Sequence, residues 1–278
     1  MAMRSAFVVA LLACSTIAAP AAQESLADAA RRKTYDTILD VYVRDGFVYY
    51  RALKSERAKL DGYVSFLGAF AVDELPRDEQ LAFWLNAYNA LVLKTVVDHY
   101  PIQGHATEYP SHSIRQIPGA FDRLQHRAAG RTLTLDLIEQ TVLSAFHDPR
   151  VYLAIGRGAV GGGRLRSEAF LPGRIEAQLT EVAHECTSRP ECIRIDREQN
   201  RVAVTAIFSW HEKDFVAAFA DAAPSPFKDR SQIERAVLAF VQPKLLTTEK
   251  EFLATSQFSV TFKLFDWSLN DLTGRGGR

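Results

Sequence analysis

The spacing of apolar positions changes several times along this chain, and each change marks an element. Leu26, Ala29, Ala30, Tyr35, Ile38 and Leu39 recur with helical period, which predicts an amphipathic helix over 26–40. The next ten residues, Val41 to Tyr50, are β-rich and contain Asp45-Gly46, a strong tight-turn pair, so a hairpin is expected. Helical spacing resumes over about 54–70. A denser segment then runs from Pro76 to about His99, with a proline at its start, Asp78 and Glu79 in its first turn and apolar residues around most of its circumference; it predicts a central, mostly buried helix. Residues 101–129 are polar and unpatterned, the kind of long loop that tends to be functional or mobile. Thr134 offers an N-cap, with Asp136 in the first turn of a helix reaching about Phe146. The apolar run Val151-Tyr152-Leu153-Ala154-Ile155 reads as a strand, and Ile175–Cys186 as a helix. Ile193-Arg194-Ile195 and Val202-Ala203-Val204 flank 196–201 as a second hairpin, Ser231–Val241 is helical, and 258–265 alternates like a strand. Helices and strands interleave without a βαβ rhythm. The expected fold is therefore α+β, a single domain with a central buried helix, several packed helices and a small, mainly antiparallel sheet.

Composition narrows the function. The chain has 278 residues, 47% of them hydrophobic, enough for one substantial core. Its 33 basic and 33 acidic side chains cancel, which argues against a general affinity for nucleic acid and leaves any charge recognition local. The start, Met1-Ala2-Met3-Arg4 followed by an apolar run from Ala6 to Ala13 and then Ala18-Ala19-Pro20-Ala21-Ala22-Gln23, reads as a secretory signal cleaved after Ala22. Its apolar run is shorter than the roughly 20 residues that span a bilayer, and no other segment reads as transmembrane. Residues 1–22 are thus expected to be a signal peptide and 23–278 one exported globular domain, periplasmic or secreted. Leu11-Leu12-Ala13-Cys14 offers lipid anchoring as a less favoured alternative, since Arg4 lies close and a large residue precedes Ala13. After cleavage the chain keeps Cys186 and Cys192, separated by Thr-Ser-Arg-Pro-Glu. In an oxidising compartment they read as a short disulfide that stabilises the fold by about 2 kcal/mol in the chain-entropy account, the alternative being two buried thiols.

The most conspicuous candidate chemistry follows the 151–155 run. Gly156-Arg157-Gly158-Ala159-Val160-Gly161-Gly162-Gly163-Arg164-Leu165-Arg166 combines five glycines with three arginines. Backbone N–H groups freed by glycine beside guanidinium groups make an anion cradle, so Arg157, Gly158, Gly161, Gly162, Gly163, Arg164 and Arg166 are expected to bind an anionic small molecule, peptide carboxylate or envelope component. Gly156, Gly158 and Gly161 also satisfy Gly-x-Gly-x-x-Gly, but no long helix opens at Gly161 and Pro172-Gly173 interrupts soon after, so no dinucleotide cofactor is expected. The competing reading is a surface loop whose arginines are solvated or paired to Glu168 and Glu176.

Several segments together resemble the domain of unknown function 547 family over about residues 35–271. They are Leu81-Ala82-Phe83-Trp84-Leu85-Asn86-Ala87-Tyr88-Asn89-Ala90; Ser113-Ile114-Arg115; Leu133-Thr134-Leu135-Asp136-Leu137-Ile138-Glu139; Asp148-Pro149-Arg150; Leu165-Arg166-Ser167-Glu168-Ala169-Phe170; Ile207-Phe208-Ser209-Trp210 with Asp214-Phe215; and Phe265-Asp266-Trp267-Ser268-Leu269-Asn270-Asp271. The resemblance implies a fold and no settled activity. Proteins of that type carry Asn-Cys-Ala-Ser and, shortly afterwards, Cys-Pro-Pro-Leu after the strand, a His within that strand, and a His after the Ile-Glu pair. The corresponding positions here hold Arg157, Gly162, Tyr152 and Gln140. A thiol nucleophile needs a cysteine with a nearby base, and this chain lacks both at those positions.

Asn86 and Asn89, three apart on one helix face, either orient a ligand or tie loop backbone to the central helix, the latter being favoured among so many aromatic neighbours. Glu139 without a histidine or metal beside it reads as a salt-bridge partner or surface charge. His99, His105, Glu108 and His112 have ligand-type side chains but no compact metal spacing, so no metal is expected. His211 reads as a residue at a helix start, and no serine sits in Gly-x-Ser-x-Gly. The leading expectation is a catalytically degenerate binding protein. The alternative is a hydrolase or transferase using Glu139, Tyr152 or His211 in a cleft at the end of the 151–155 strand.

Overall fold

A computed structural model describes residues 26–255 and 257–274; the expected signal segment and Cys14 lie outside them. Helix α1 (Leu26–Tyr42) turns Tyr35, Ile38, Leu39 and Tyr42 into the core, at the spacing read from the sequence. It leads into a hairpin of β1 (Val43–Arg44) and β2 (Phe47–Val48), closed by Asp45 at φ 50° and Gly46 at φ 82°, the left-handed pair that a tight antiparallel turn needs. The helix expected over 54–70 is two, α2 (Tyr50–Ser55) and α3 (Ala58–Ala69). Between them Arg57 reaches Asp61 at 2.7 Å and also pairs with Asp98, fixing where α3 begins against the next helix. That next helix, α4 (Arg77–His99), starts immediately after Pro76 and buries every residue from Leu81 to Leu93.

Residues 100–125 are irregular apart from a 3₁₀ turn, Ile114–Gln116, whose first free N–H, that of Arg115, is capped by Ser113 Oγ. The unpatterned stretch is shorter than expected, because β3 (His126–Ala128) and β4 (Arg131–Leu133) form a hairpin. Its strands lack β-branched enrichment, and the turn places a non-glycine residue, Ala129, at φ 52°, so the sequence gives little warning of it. Thr134 caps the next helix as expected, accepting from Leu137 N. After α5 (Leu135–Leu137) the coil widens into a π-helical turn, Ile138–Leu143, then tightens to 3₁₀ over Ser144–Phe146.

The 151–155 run is not a strand. Val151–Ala154 is a short buried helix, α6, and only Ile155 is extended. Asp148 Oδ1 accepts from Arg150 N and the carbonyls of Asp148, Pro149 and Arg150 take the following amides, so the Asp-Pro-Arg segment starts a helical turn. Five consecutive apolar residues suit a buried strand and a buried helix equally, and the cap decides.

Helix α7 (Ile175–Thr187) precedes β5 (Ile193–Asp196) and β6 (Arg201–Val204), which pair antiparallel in the expected register. Cys186 and Cys192 join the end of α7 to the start of β5, with sulfurs at disulfide distance and Cα atoms 5.1 Å apart. Helices α8 (Ile207–Trp210), α9 (Glu212–Phe219), α10 (Gln232–Val241) and α11 (Thr247–Thr255) come next. Phe208, Phe215 and Phe240 pack from three of them with ring centroids 4.6–5.9 Å apart. Strand β7 (Ser259–Phe262) returns parallel to β6, making the three-stranded sheet mixed. The chain then runs back across the molecule. Asn270 takes a hydrogen bond from Tyr50, donates to Gly46 O, and accepts Val48 N on its carbonyl, stitching the last motif to the first hairpin. The described residues thus form one α+β core around α4.

Candidate functional site

The glycine–arginine loop turns much of its hydrogen-bonding capacity inward. Four of its amides are occupied: Gly156 N donates to Asn89 Oδ1 at 2.8 Å, Val160 N to Ser268 O at 2.9 Å, Gly161 N to Asp266 O at 2.9 Å, and Gly162 N to Ala159 O at 3.1 Å. The glycines serve close packing. Gly158, at φ 66°, sits against Val92, Val96 and Ile114, and a Cβ on Gly163 would collide with the carbonyl oxygen of Leu153. Two of the arginines meet on Glu185, and all three are paired to the protein's own carboxylates. Arg164 pairs with Asp45 at 3.0 Å and Glu185 at 3.1 Å, while Arg166 bonds Glu168, Glu181 and Glu185. Arg157, expected on the surface, is only 2% exposed and turns the other way. Glu176, the other carboxylate expected beside the loop, holds Arg150 instead.

Asn86 and Asn89 also do structural work. Asn86 donates to Phe170 O at 2.8 Å and accepts from Phe170 N at 2.9 Å; Asn89 donates to Ala154 O at 3.2 Å and accepts from Gly156 N. Each amide therefore mimics a backbone partner for a segment that has no strand to pair with, which is why both lie buried on the same face of α4.

What the fold does assemble is a polar cluster around Glu139, which the π-helical turn carries inward. Tyr88 donates to Glu139 Oε2 at 3.0 Å, and Arg157 Nη2 and His211 Nε2 meet Oε1, the latter at 2.9 Å. Burial alone would push this carboxyl up, but the charge of Arg157 and the hydrogen bonds from His211 and Arg157 override it and hold it at about 2. An ionised carboxylate can only accept, so His211 carries its proton on Nε2. Arg157 also donates to Tyr152 O at 3.2 Å. The Tyr152 ring stacks on the His211 imidazole, centroids 3.5 Å apart and planes within 8°, and its hydroxyl donates to Asp214. Burial first, then that bond and the Asp214 charge, raise the Tyr152 phenol well above its ordinary range. The three groups of the alternative catalytic reading are thus in contact, with Arg157 bound into the same cluster. His211 sits at the first position before α9, as expected for a helix start.

Of these residues, Glu139, Tyr152, Arg157, His211 and Asp214 line an open cleft of about 330 Å³. Arg115, Phe121 and Trp267 line it too, with Asp136 and Gln140 close in sequence to Glu139 and Trp210 45% exposed. Burial first, then the charge of Glu139, raises the Asp136 carboxyl above its ordinary value. Arg115 lies in a sheath of rings, its guanidinium carbon 4.3 Å from the Trp267 centroid and 4.5 Å from that of Phe121. Trp210 and Trp267 stack at 6.1 Å, and Phe265 packs against both. Arg115, Trp210 and Trp267 all fall in motifs quoted for the family resemblance, yet nothing in their local sequence assigned them a role. They come from three distant segments, and only the fold brings them together.

The loop histidines do not join this site or one another as a metal centre. Nδ1 of His99 contacts Thr95 O and that of His112 contacts Ile102 O, both at 2.8 Å, and the described residues contain no cluster of three or more metal-ligating side chains. Among the described residues no helix is long and apolar enough to cross a membrane.

Residues 72–185 match the family model described as protein of unknown function, DUF547. That segment runs from the approach to α4 through α7 and includes Arg115, Glu139, Tyr152 and Arg157; His211, Trp210 and Trp267 lie beyond it. No curated protein and no solved structure matches the chain.

Proposed function

We propose that this protein is an exported binding protein that receives its ligand in the cleft between Arg115 and Glu139 and has no residual covalent chemistry there. One observation carries the reading. Of the four positions where the family resemblance leads one to expect cysteine or histidine, three, Gln140, Tyr152 and Arg157, line this single cleft. One of the two positions where cysteine is expected is filled by a guanidinium that neutralises Glu139, and one of the two where histidine is expected by a phenol engaged with Asp214. The expected Gly/Arg anion loop plays no part. Export is supported by the leader pattern in 1–22 and by the paired Cys186 and Cys192; mass spectrometry of the protein recovered from periplasmic extract should give a mature N-terminus at Gln23.

A second reading draws on the Glu139–His211 hydrogen bond, since a carboxylate that fixes one imidazole nitrogen leaves the other to act as a general base. The test is turnover of p-nitrophenyl esters, p-nitroanilides and a peptide library by the mature protein. The binding reading expects rates equal to buffer. Turnover that disappears in His211→Ala, with the circular dichroism spectrum unchanged, overturns it in favour of an acid–base enzyme.

A further inference from the structure

Several arginines of the described residues are spent on carboxylates, and one that is not lines the cleft. Arg57, Arg150, Arg157, Arg164 and Arg166 each hold one or more carboxylates. Arg115 makes no ion pair and no side-chain hydrogen bond to any described residue, and its Nε is buried without a partner. The centroids of Trp267 and Phe121 lie 4.3 and 4.5 Å from its guanidinium carbon and 5.7 Å from each other, so the two rings flank it at roughly a right angle, with the Tyr109 ring 6.0 Å away. Ring contacts use none of its N–H groups, so the fork has no partner among the described residues and can take a carboxylate in two parallel hydrogen bonds. Arg115 is also half-buried, so a bound anion is worth more there than at a fully exposed arginine.

The neighbours limit which anion fits. Asp136, Glu139 and Asp214 line the same cleft. A dianionic phosphate would face these carboxylates, whereas a monoanion can spend its charge on Arg115 alone. The space, about 330 Å³, is ample for a small organic acid. Next to the fork, Trp267 and Trp210 present stacked indole surface, a platform for a flat apolar group. We infer that the cleft binds a small monocarboxylate carrying an aromatic or similarly flat apolar group, with Arg115 holding the carboxylate and Trp210 and Trp267 the flat group. This rests on the binding reading above and names its ligand class.

The probes are benzoate, 3-phenylpropionate and N-acetyl-L-phenylalanine, each beside its neutral amide, titrated into the mature protein by calorimetry and tryptophan fluorescence at millimolar concentration. Loss of a charge-assisted bidentate contact should weaken an amide about tenfold or more relative to its acid. That preference should vanish in Arg115→Gln, and Trp210→Ala should weaken acid and amide alike. Inorganic phosphate should compete no better than acetate. The inference is overturned if no acid outbinds its amide, including the case in which none binds, or if the preference survives Arg115→Gln. Amides and acids binding equally, unchanged chemically, would sink the carboxylate assignment and leave the binding reading standing. Conversion of any probe to product would sink the binding reading whatever Arg115 does.

Discussion

Arg157 and Arg115 border the same cleft in opposite circumstances. Arg157 is the more deeply buried and is spent: Glu139 neutralises it, and Tyr152 O takes a further hydrogen bond. Arg115 is enclosed by rings that cannot neutralise it, and no carboxylate is within ion-pair distance among the described residues. The contrast separates two uses of an arginine beside a cleft. A guanidinium with a fixed counter-ion holds the fold together and offers a ligand nothing. One that is half-buried against rings with its fork unbound has hydrogen bonds that only a ligand or water can make.

The largest effect that follows is on Arg157. Arg157→Ala leaves Glu139 buried with only Tyr88 and His211, and removing one partner of a buried pair typically costs about 3–5 kcal/mol. Urea denaturation should show that loss, with a melting temperature lower by roughly 6–20 °C for a chain of this size. Arg157→Met combined with Glu139→Gln should recover much of it, because no uncompensated charge remains. If Arg157→Ala is neutral, Arg157 is not spent on Glu139 and the contrast with Arg115 collapses.

The same pair sets an acid limit. Against the effect of burial, Arg157 and His211 hold the Glu139 carboxyl down at about 2 in the folded protein, below the ordinary glutamate value of about 4.5, so its contribution is present above about pH 5 and lost as pH falls from there toward 2. Stability measured by denaturant titration from pH 6 to pH 2 should decline, and less steeply in the Arg157→Met, Glu139→Gln double variant. Equal slopes would mean that other carboxylates control the acid transition.

Much of the fold was readable because burial there is periodic. Helix α4 announces itself through Pro76, Asp78, Glu79 and an unbroken apolar run, and the 193–204 hairpin through its alternation. The 151–155 segment was misread because a fully buried stretch has no polar face to betray its period, and the deciding group, Asp148, lies outside the run. The loop that follows was misread for a related reason. Glycine beside arginine has the same composition whether its amides face a ligand or the 266–270 segment, and whether Arg157 faces water or Glu139; only partners distant in sequence distinguish them. The cleft was legible in part: Glu139, Tyr152 and His211 were singled out as one alternative set, whereas Arg115, Trp210 and Trp267 depend on three segments converging.

A smaller effect tests whether the loop is structural scaffold, as its contrast with the cleft requires. Asn86→Ala strands both Phe170 N and Phe170 O in the core beside the loop, at a cost of about 2–4 kcal/mol from two unsatisfied groups. Binding of any probe that enters the cleft should weaken only as far as unfolding explains. Loss of affinity in protein that remains folded would return Asn86 to the ligand site.

The smallest expected effect is the most discriminating. Arg115→Gln removes a charge that makes no ion pair, so the loss is confined to its contacts with Phe121 and Trp267 and its attraction to Asp136, about 1 kcal/mol or less. Part of that is offset, because the buried Nε no longer lacks a partner. The melting temperature should therefore fall by no more than a few degrees, against the much larger drop from Arg157→Ala. Two arginines on one cleft, one indispensable to folding and the other nearly dispensable, is the pattern expected if the first is bound internally and the second awaits a ligand. Comparable losses from both would mean that Arg115 is held by the protein after all, and that its free fork is not held open for a ligand.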